Sequence, residues 1–142
     1  MNTYDYAIKL LSARDYTVSQ LCRKLEAKYG PVPQDVLDLL LQKNFLNDQR
    51  FAENYVSKRK SRGPARLREE LISRGIELSL ADKVLAEIAW PSLKQSLKAK
   101  MDDWNLRAPL QSRDAARLFR ALVRLGYDED AIREEIDQFH DQ

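Results

Sequence analysis

Apolar residues recur along this chain at the three-to-four-residue spacing of a helix, and three stretches share one design, a leucine pair on a polar helix that runs into a glycine. The pairs are Leu21/Leu25 before Gly30, Leu67/Leu71 before Gly75 and Leu118/Leu122 before Gly126. A further helix follows each glycine, anchored by Val36/Leu40, Val84/Ile88 and Ile132/Ile136, and another precedes each pair. Glycines at 30, 75 and 126 recur at intervals of 45 and 51 residues, a period that holds helix, helix and helix. The pattern predicts an all-α fold: an elongated tandem array of three three-helix repeats, about nine helices, with repeats at 1–47, 48–89 (the basic one) and 90–142. Such an array builds surface rather than an enclosed pocket.

The punctuation agrees. Helix 1 is predicted over residues 3–14 with Ala7, Leu10 and Leu11 inward, and Thr17 or Ser19 caps a second helix that runs to Tyr29. Gly30 supplies a left-handed turn, Pro31 and Pro33 forbid continuation, and Asp35 falls in the first turn of helix 3. Asn47-Asp48 caps helix 4, whose stripe is Phe51, Ala52, Tyr55 and Val56, and Gly63-Pro64 is expected to end it. Helix 5 starts at Pro64 and buries Leu67 and Leu71, leaving Arg66, Arg68, Glu69 and Glu70 to line an open face. Helix 6 is expected over 79–89, a hinge at Trp90-Pro91, helix 7 to Trp104, helix 8 over 112–125 and helix 9 over 128–139, with Asp128, Glu129 and Asp130 at its start. No alternating strand pattern occurs.

Composition narrows the classes of function. The 142 residues are 32% charged and 44% hydrophobic, no run approaches the ~18 apolar residues of a membrane span, and the N-terminal MNTYDYAIKLL lacks a secretory pattern. A cytoplasmic monomer with no membrane contact is expected. Cys22 is the single cysteine and adjoins the Leu21/Leu25 stripe, where a small packing residue is the default. His140 is the single histidine, in a terminal tail. The four glycines are scattered, so no phosphate-cradling loop exists, and the pairs Glu69/Glu70, Asp102/Asp103 and Glu134/Glu135 diverge by ~100° on their helices. No enzyme activity, metal or cofactor is expected.

Charge carries the remaining signal. The net +2 conceals a gradient: residues 1–47 carry +1, 48–76 carry +4, 77–110 balance, and 111–142 carry −3. Lys58, Arg59, Lys60, Arg62, Arg66 and Arg68 succeed one another with no acid between them, flanking Gly63-Pro64. Cations at a helix end complement its dipole, but that effect fades within a turn at ~0.3–1 kcal/mol per charge; six around one corner favour an acidic or polyanionic partner. A second stripe, Arg113, Arg117, Arg120 and Arg124, shares one face of helix 8, with Asp114 the one acid near enough to pair. Its plain reading is a solubilising face; arginine's planar fork also suits carboxylate and phosphate. Phe51, Tyr55, Phe119 and Tyr127 lie on apolar stripes, which favours packing over base stacking.

The run from Phe45 to Val56 (FLNDQRFAENYV), continued by Arg62 to Leu71 (RGPARLREEL), resembles the RecX regulatory protein family. Ala7-x2-Leu10-Leu11-Ser12-x-Arg14 and Arg124-Leu125-Gly126-Tyr127 are also similar, so the resemblance covers nearly the whole chain; it is weakest over 90–110, and Leu125 stands where the family usually has a basic residue. The resemblance implies a bacterial modulator of the RecA recombinase that lodges in the groove of the RecA nucleoprotein filament on single-stranded DNA. Like the members of that family, it would be expected to oppose filament growth, and with it ATP hydrolysis, strand exchange and SOS repressor cleavage. The ten basic residues would then contact acidic RecA surface or phosphate of single- or double-stranded DNA. Two other readings of the residues stay open: a sequence-independent DNA-binding module acting without RecA, and a scaffold adapter whose acidic end, 128–142, recruits a basic partner.

Overall fold

The structure is a computed structural model that describes residues 1–140, without the side chain of His140; that side chain, and Asp141 and Gln142 at the end of the third repeat and of the acidic tail, lie outside the described residues. The described residues form nine α-helices and no strand: α1 Thr3–Ala13, α2 Val18–Tyr29, α3 Gln34–Gln42, α4 Asp48–Ser57, α5 Pro64–Ser73, α6 Leu78–Ala86, α7 Leu93–Asp103, α8 Ser112–Arg124 and α9 Glu129–His140. The caps explain the starts. Thr17 accepts from the Gln20 N–H while the Gln20 side chain returns to the Thr17 N–H, a reciprocal box repeated by Ser92 and Gln95 at α7. Asn47 accepts from the Arg50 N–H at α4.

Two ends differ from expectation. Helix α4 stops at Ser57, not at Gly63-Pro64, and Lys60–Arg62 form a separate 3-10 turn. The reason is that no apolar residue lies between Val56 and Gly63, so continued helix would gain no burial. Helix α6 likewise ends at Ala86, leaving Ile88 half-buried beyond it.

The chain divides into two compact units, residues 1–60 with 67–87, and residues 61–66 with 88–142. In the first unit, Ala7, Tyr16, Leu21, Leu25, Leu40 and Leu46 form one buried cluster, and Phe51, Val56, Leu67, Leu71, Ala81 and Val84 are also buried. In the second, Leu97, Met101, Leu110, Leu118, Leu122, Ile132 and Ile136 close together, with Trp104, Phe119 and Tyr127 packed against them. Both members of each leucine pair are almost wholly buried, as the spacing predicts.

One joint recurs in both units. In the first, the turn before α6 meets the start of α2: the fully buried Thr17 hydroxyl donates to the Arg74 carbonyl at 2.6 Å, the Val18 N–H donates to the Asp48 carboxylate at 2.8 Å, and a Cβ on Gly75 would overlap the Ser19 side chain. In the second, the turn before α9 meets the start of α5, and a Cβ on Gly126 would lie 2.6 Å from that of Ala65. Ser19 and Ala65 are each the second residue of their helix. A small residue there and a glycine opposite let a turn approach a helix start at backbone distance.

Candidate functional site

The basic run divides between the two units. Lys58 caps α4 and is exposed, with Arg59 and Lys60 next to it in the first unit; Arg62, in the 3-10 turn, and Arg66, on α5, belong to the second. Arg68 departs from the expectation of an uncompensated cation: its Nε sits 2.7 Å from the Asp82 carboxylate, one helix away on α6. With both side chains about half exposed (44% and 52%), solvent screens that pair.

Arg59 is held in place. Its guanidinium carbon lies 3.9 Å from the centre of the Tyr55 ring, and its Nη1 donates to the Tyr55 carbonyl at 3.3 Å. Arg74, from the turn after α5, lies 4.6 Å from the same ring and donates to the Glu70 carbonyl at 3.0 Å. The ring itself stacks near parallel on Phe51, centroids 6.0 Å apart, and its hydroxyl donates to the Glu70 carboxylate at 3.2 Å. Arg59, Arg74, Lys58 and Arg14, the residue that ends α1, line an open cleft of about 230 Å³ together with Asp15. Spacing did not single out Arg14 and Arg74. Arg14 closes the first-repeat motif and Arg74 precedes the second glycine, but only the fold carries residues 60 apart to one concavity.

On α8, Leu118 and Leu122 are buried and Arg113, Arg117, Arg120 and Arg124 are exposed. Arg117 stacks on Trp104, its guanidinium carbon 3.8 Å from the ring centre, and Arg113 lies 3.8 Å from the Asp114 carboxylate. The anticipated Asp114 pair thus engages the first arginine of the stripe. At the start of α9, Arg133 is paired with Glu129 and Asp130.

Two groups have displaced acidities. Burial, then the Glu26 and Asp48 carboxylates, push the Cys22 thiol above its ordinary value, which keeps it protonated and poorly nucleophilic. Burial also raises the Asp48 carboxyl; the Val18 N–H opposes the shift and Glu77 adds to it. Among the described residues no three His, Cys, Asp or Glu side chains gather as metal ligands, and no helix is long and apolar enough to cross a membrane.

Helix triplets joined by close glycine turns, with cations arrayed on their outer faces, define an all-α helical-repeat protein. Its relatives say which one. Residues 47–85 match the family described as RecX, second three-helix domain. The chain is 35% identical over 136 residues to the regulatory protein RecX of Halorhodospira halophila, covering 91% of this chain and 83% of that one. It is 37% identical over 136 residues to that of Chromohalobacter salexigens, with 91% and 87% covered. The crystal structure of RecX from Lactobacillus salivarius shares the fold, with a TM-score of 0.74 at 18% identity over 96% of this chain and 95% of that one. The chain belongs to the RecX family of regulatory proteins.

Proposed function

We propose that this protein is a non-catalytic regulator of the RecA recombinase, a cytoplasmic monomer that binds the RecA filament on single-stranded DNA and opposes its ATPase, strand-exchange and SOS co-protease activities. Membership of the RecX family along nearly the whole chain carries this reading. Its three repeats, 1–47, 48–89 and 90–142, act as successive contact modules, because equivalent units on one chain add their affinities when they meet successive subunits of a polymer. The contacting cations are Lys58, Arg59, Lys60, Arg62 and Arg66 around the 3-10 turn and Arg113, Arg117, Arg120 and Arg124 on α8. Arg68 contributes less, since its carboxylate partner must first be given up.

The test is DNA-dependent ATP hydrolysis by RecA with increasing amounts of the wild-type protein and of Lys60→Glu/Arg120→Glu/Arg124→Glu, three exposed positions. Wild type inhibits, and the triple variant needs much more protein for the same effect. Equal inhibition by a folded variant would reject these contacts. No inhibition by wild type would reject the function.

A further inference from the structure

We propose that the cleft formed by Arg14, Lys58, Arg59 and Arg74 is a binding site for one phosphodiester group of a single DNA strand, read through its backbone and not its bases. The proposal rests on the functional reading that the protein works against DNA-bearing filaments, and it assigns the DNA contact to a cleft that joins Arg14 and Arg74 to Lys58 and Arg59.

Four cations converge from the ends of three elements: Arg14 after α1, Lys58 and Arg59 after α4, Arg74 after α5. Among the described residues none of the four forms an ion pair, although Asp15 also lines the cleft. Their hydrogen-bonding capacity is largely unused. A guanidinium carries five N–H donors; the Arg59 side chain uses one on the Tyr55 carbonyl, and Arg74 directs a single nitrogen to the Glu70 carbonyl and the Ser73 hydroxyl. The two forks are nonetheless fixed, because both lie on the Tyr55 ring at 3.9 and 4.6 Å and that ring is held by Phe51 and Glu70. Ordering them before binding removes the side-chain part of the entropy cost of gripping an anion.

The geometry selects the anion. A carboxylate presents two coplanar oxygens, best met by one arginine fork from one side. A phosphodiester presents two non-bridging oxygens, which project from the tetrahedral phosphorus away from its ester links, and cations on several elements can meet them together. Burial disfavours base stacking: Phe51 and Tyr55, the aromatic residues that line the cleft, are only 8% and 7% exposed and offer little face to a base.

Binding of a fluorescent oligo(dT) by anisotropy, across a salt series, tests the site. The proteins are wild type, Arg59→Gln/Arg74→Gln, and Lys58→Gln, an exposed position that keeps the test valid should the double variant fail to fold. Losing the one phosphate held in the cleft lowers the magnitude of the log–log salt slope by up to about 0.7 for either variant, and the loss is the same on a mixed-sequence oligonucleotide. An unchanged slope for Lys58→Gln and for the folded double variant overturns the site. So does a loss of affinity for a poly-glutamate peptide without one for DNA, which would assign the cleft to protein carboxylates. Inhibition of RecA ATPase by wild type is scored separately: its absence, with the slopes shifted as expected, removes the filament reading and leaves the phosphate site standing.

Discussion

Gly126→Ala tests whether the recurring glycine joint holds the second unit together. Gly126 has φ +98°, and a Cβ there would sit 2.6 Å from Ala65 Cβ, against the ~3.5–4.0 Å of an ordinary carbon contact. The left-handed backbone alone costs an alanine about 1–2 kcal/mol. Forcing a methyl against a neighbour whose Cβ cannot swing away adds about 1–3 kcal/mol, so the substitution costs about 2–5 kcal/mol in all. Gly30→Ala has φ +82° but nothing within 4 Å of the new methyl, and carries only the backbone part. Trp90 and Trp104, the two tryptophans of the chain, both lie in the second unit, so their fluorescence during urea unfolding tracks that unit while circular dichroism tracks both. Gly126→Ala moves the fluorescence midpoint down. Adding Ala65→Gly removes the overlap and recovers about 1–3 kcal/mol of it, despite the ~1 kcal/mol that glycine costs in a helix. Strict additivity of Gly126→Ala and Ala65→Gly, or a Gly126→Ala cost no larger than that of Gly30→Ala, would refute the close-approach joint.

Thr17→Val loses the α2 cap and leaves the part-buried Arg74 carbonyl without the Thr17 hydroxyl, and should cost about 2–4 kcal/mol by urea unfolding monitored by circular dichroism; Thr17→Ser, which keeps the hydroxyl, should cost less than half of that. Asp48 has a folded acidity displaced upward, so its ionisation opposes folding and the stability it contributes falls as pH rises through the folded value. Asp48→Asn keeps an oxygen for the Val18 N–H without the charge, and its stability relative to wild type should therefore improve from the carboxylate range up to neutral pH; a flat difference would contradict the burial argument. Cys22, with its thiol displaced upward, should be alkylated by iodoacetamide at pH 8 more slowly than free cysteine, and an equal or faster rate by mass spectrometry would show an activated thiol instead.

The helix triplets were legible because their information is local. Leucines four residues apart bury one face, Thr17 and Asn47 cap the starts of α2 and α4, and glycine with proline stops a helix; each rule acts within about one or two turns of its residue. Even the error at α4 was of local origin, a stop placed at the strongest breaker, Gly63-Pro64, when the apolar stripe had already run out at Val56. Charge was a poorer guide. Along the chain six cations looked alike, yet Arg68 is satisfied by Asp82 from the next helix and Arg59 is fixed on an aromatic ring, while Arg117 turns out to lie on Trp104.

The number of helices, their buried faces and the glycines between them follow from residue order alone, since helix period and capping depend on neighbours a few residues away. Which cations are engaged by internal partners and which are gathered, Arg14 and Arg74 beside Lys58 and Arg59, is set by the packing of separate elements. That choice depends on how turns aim one helix end at another. Side chains from separate elements meet within a few ångströms at distances no linear spacing encodes.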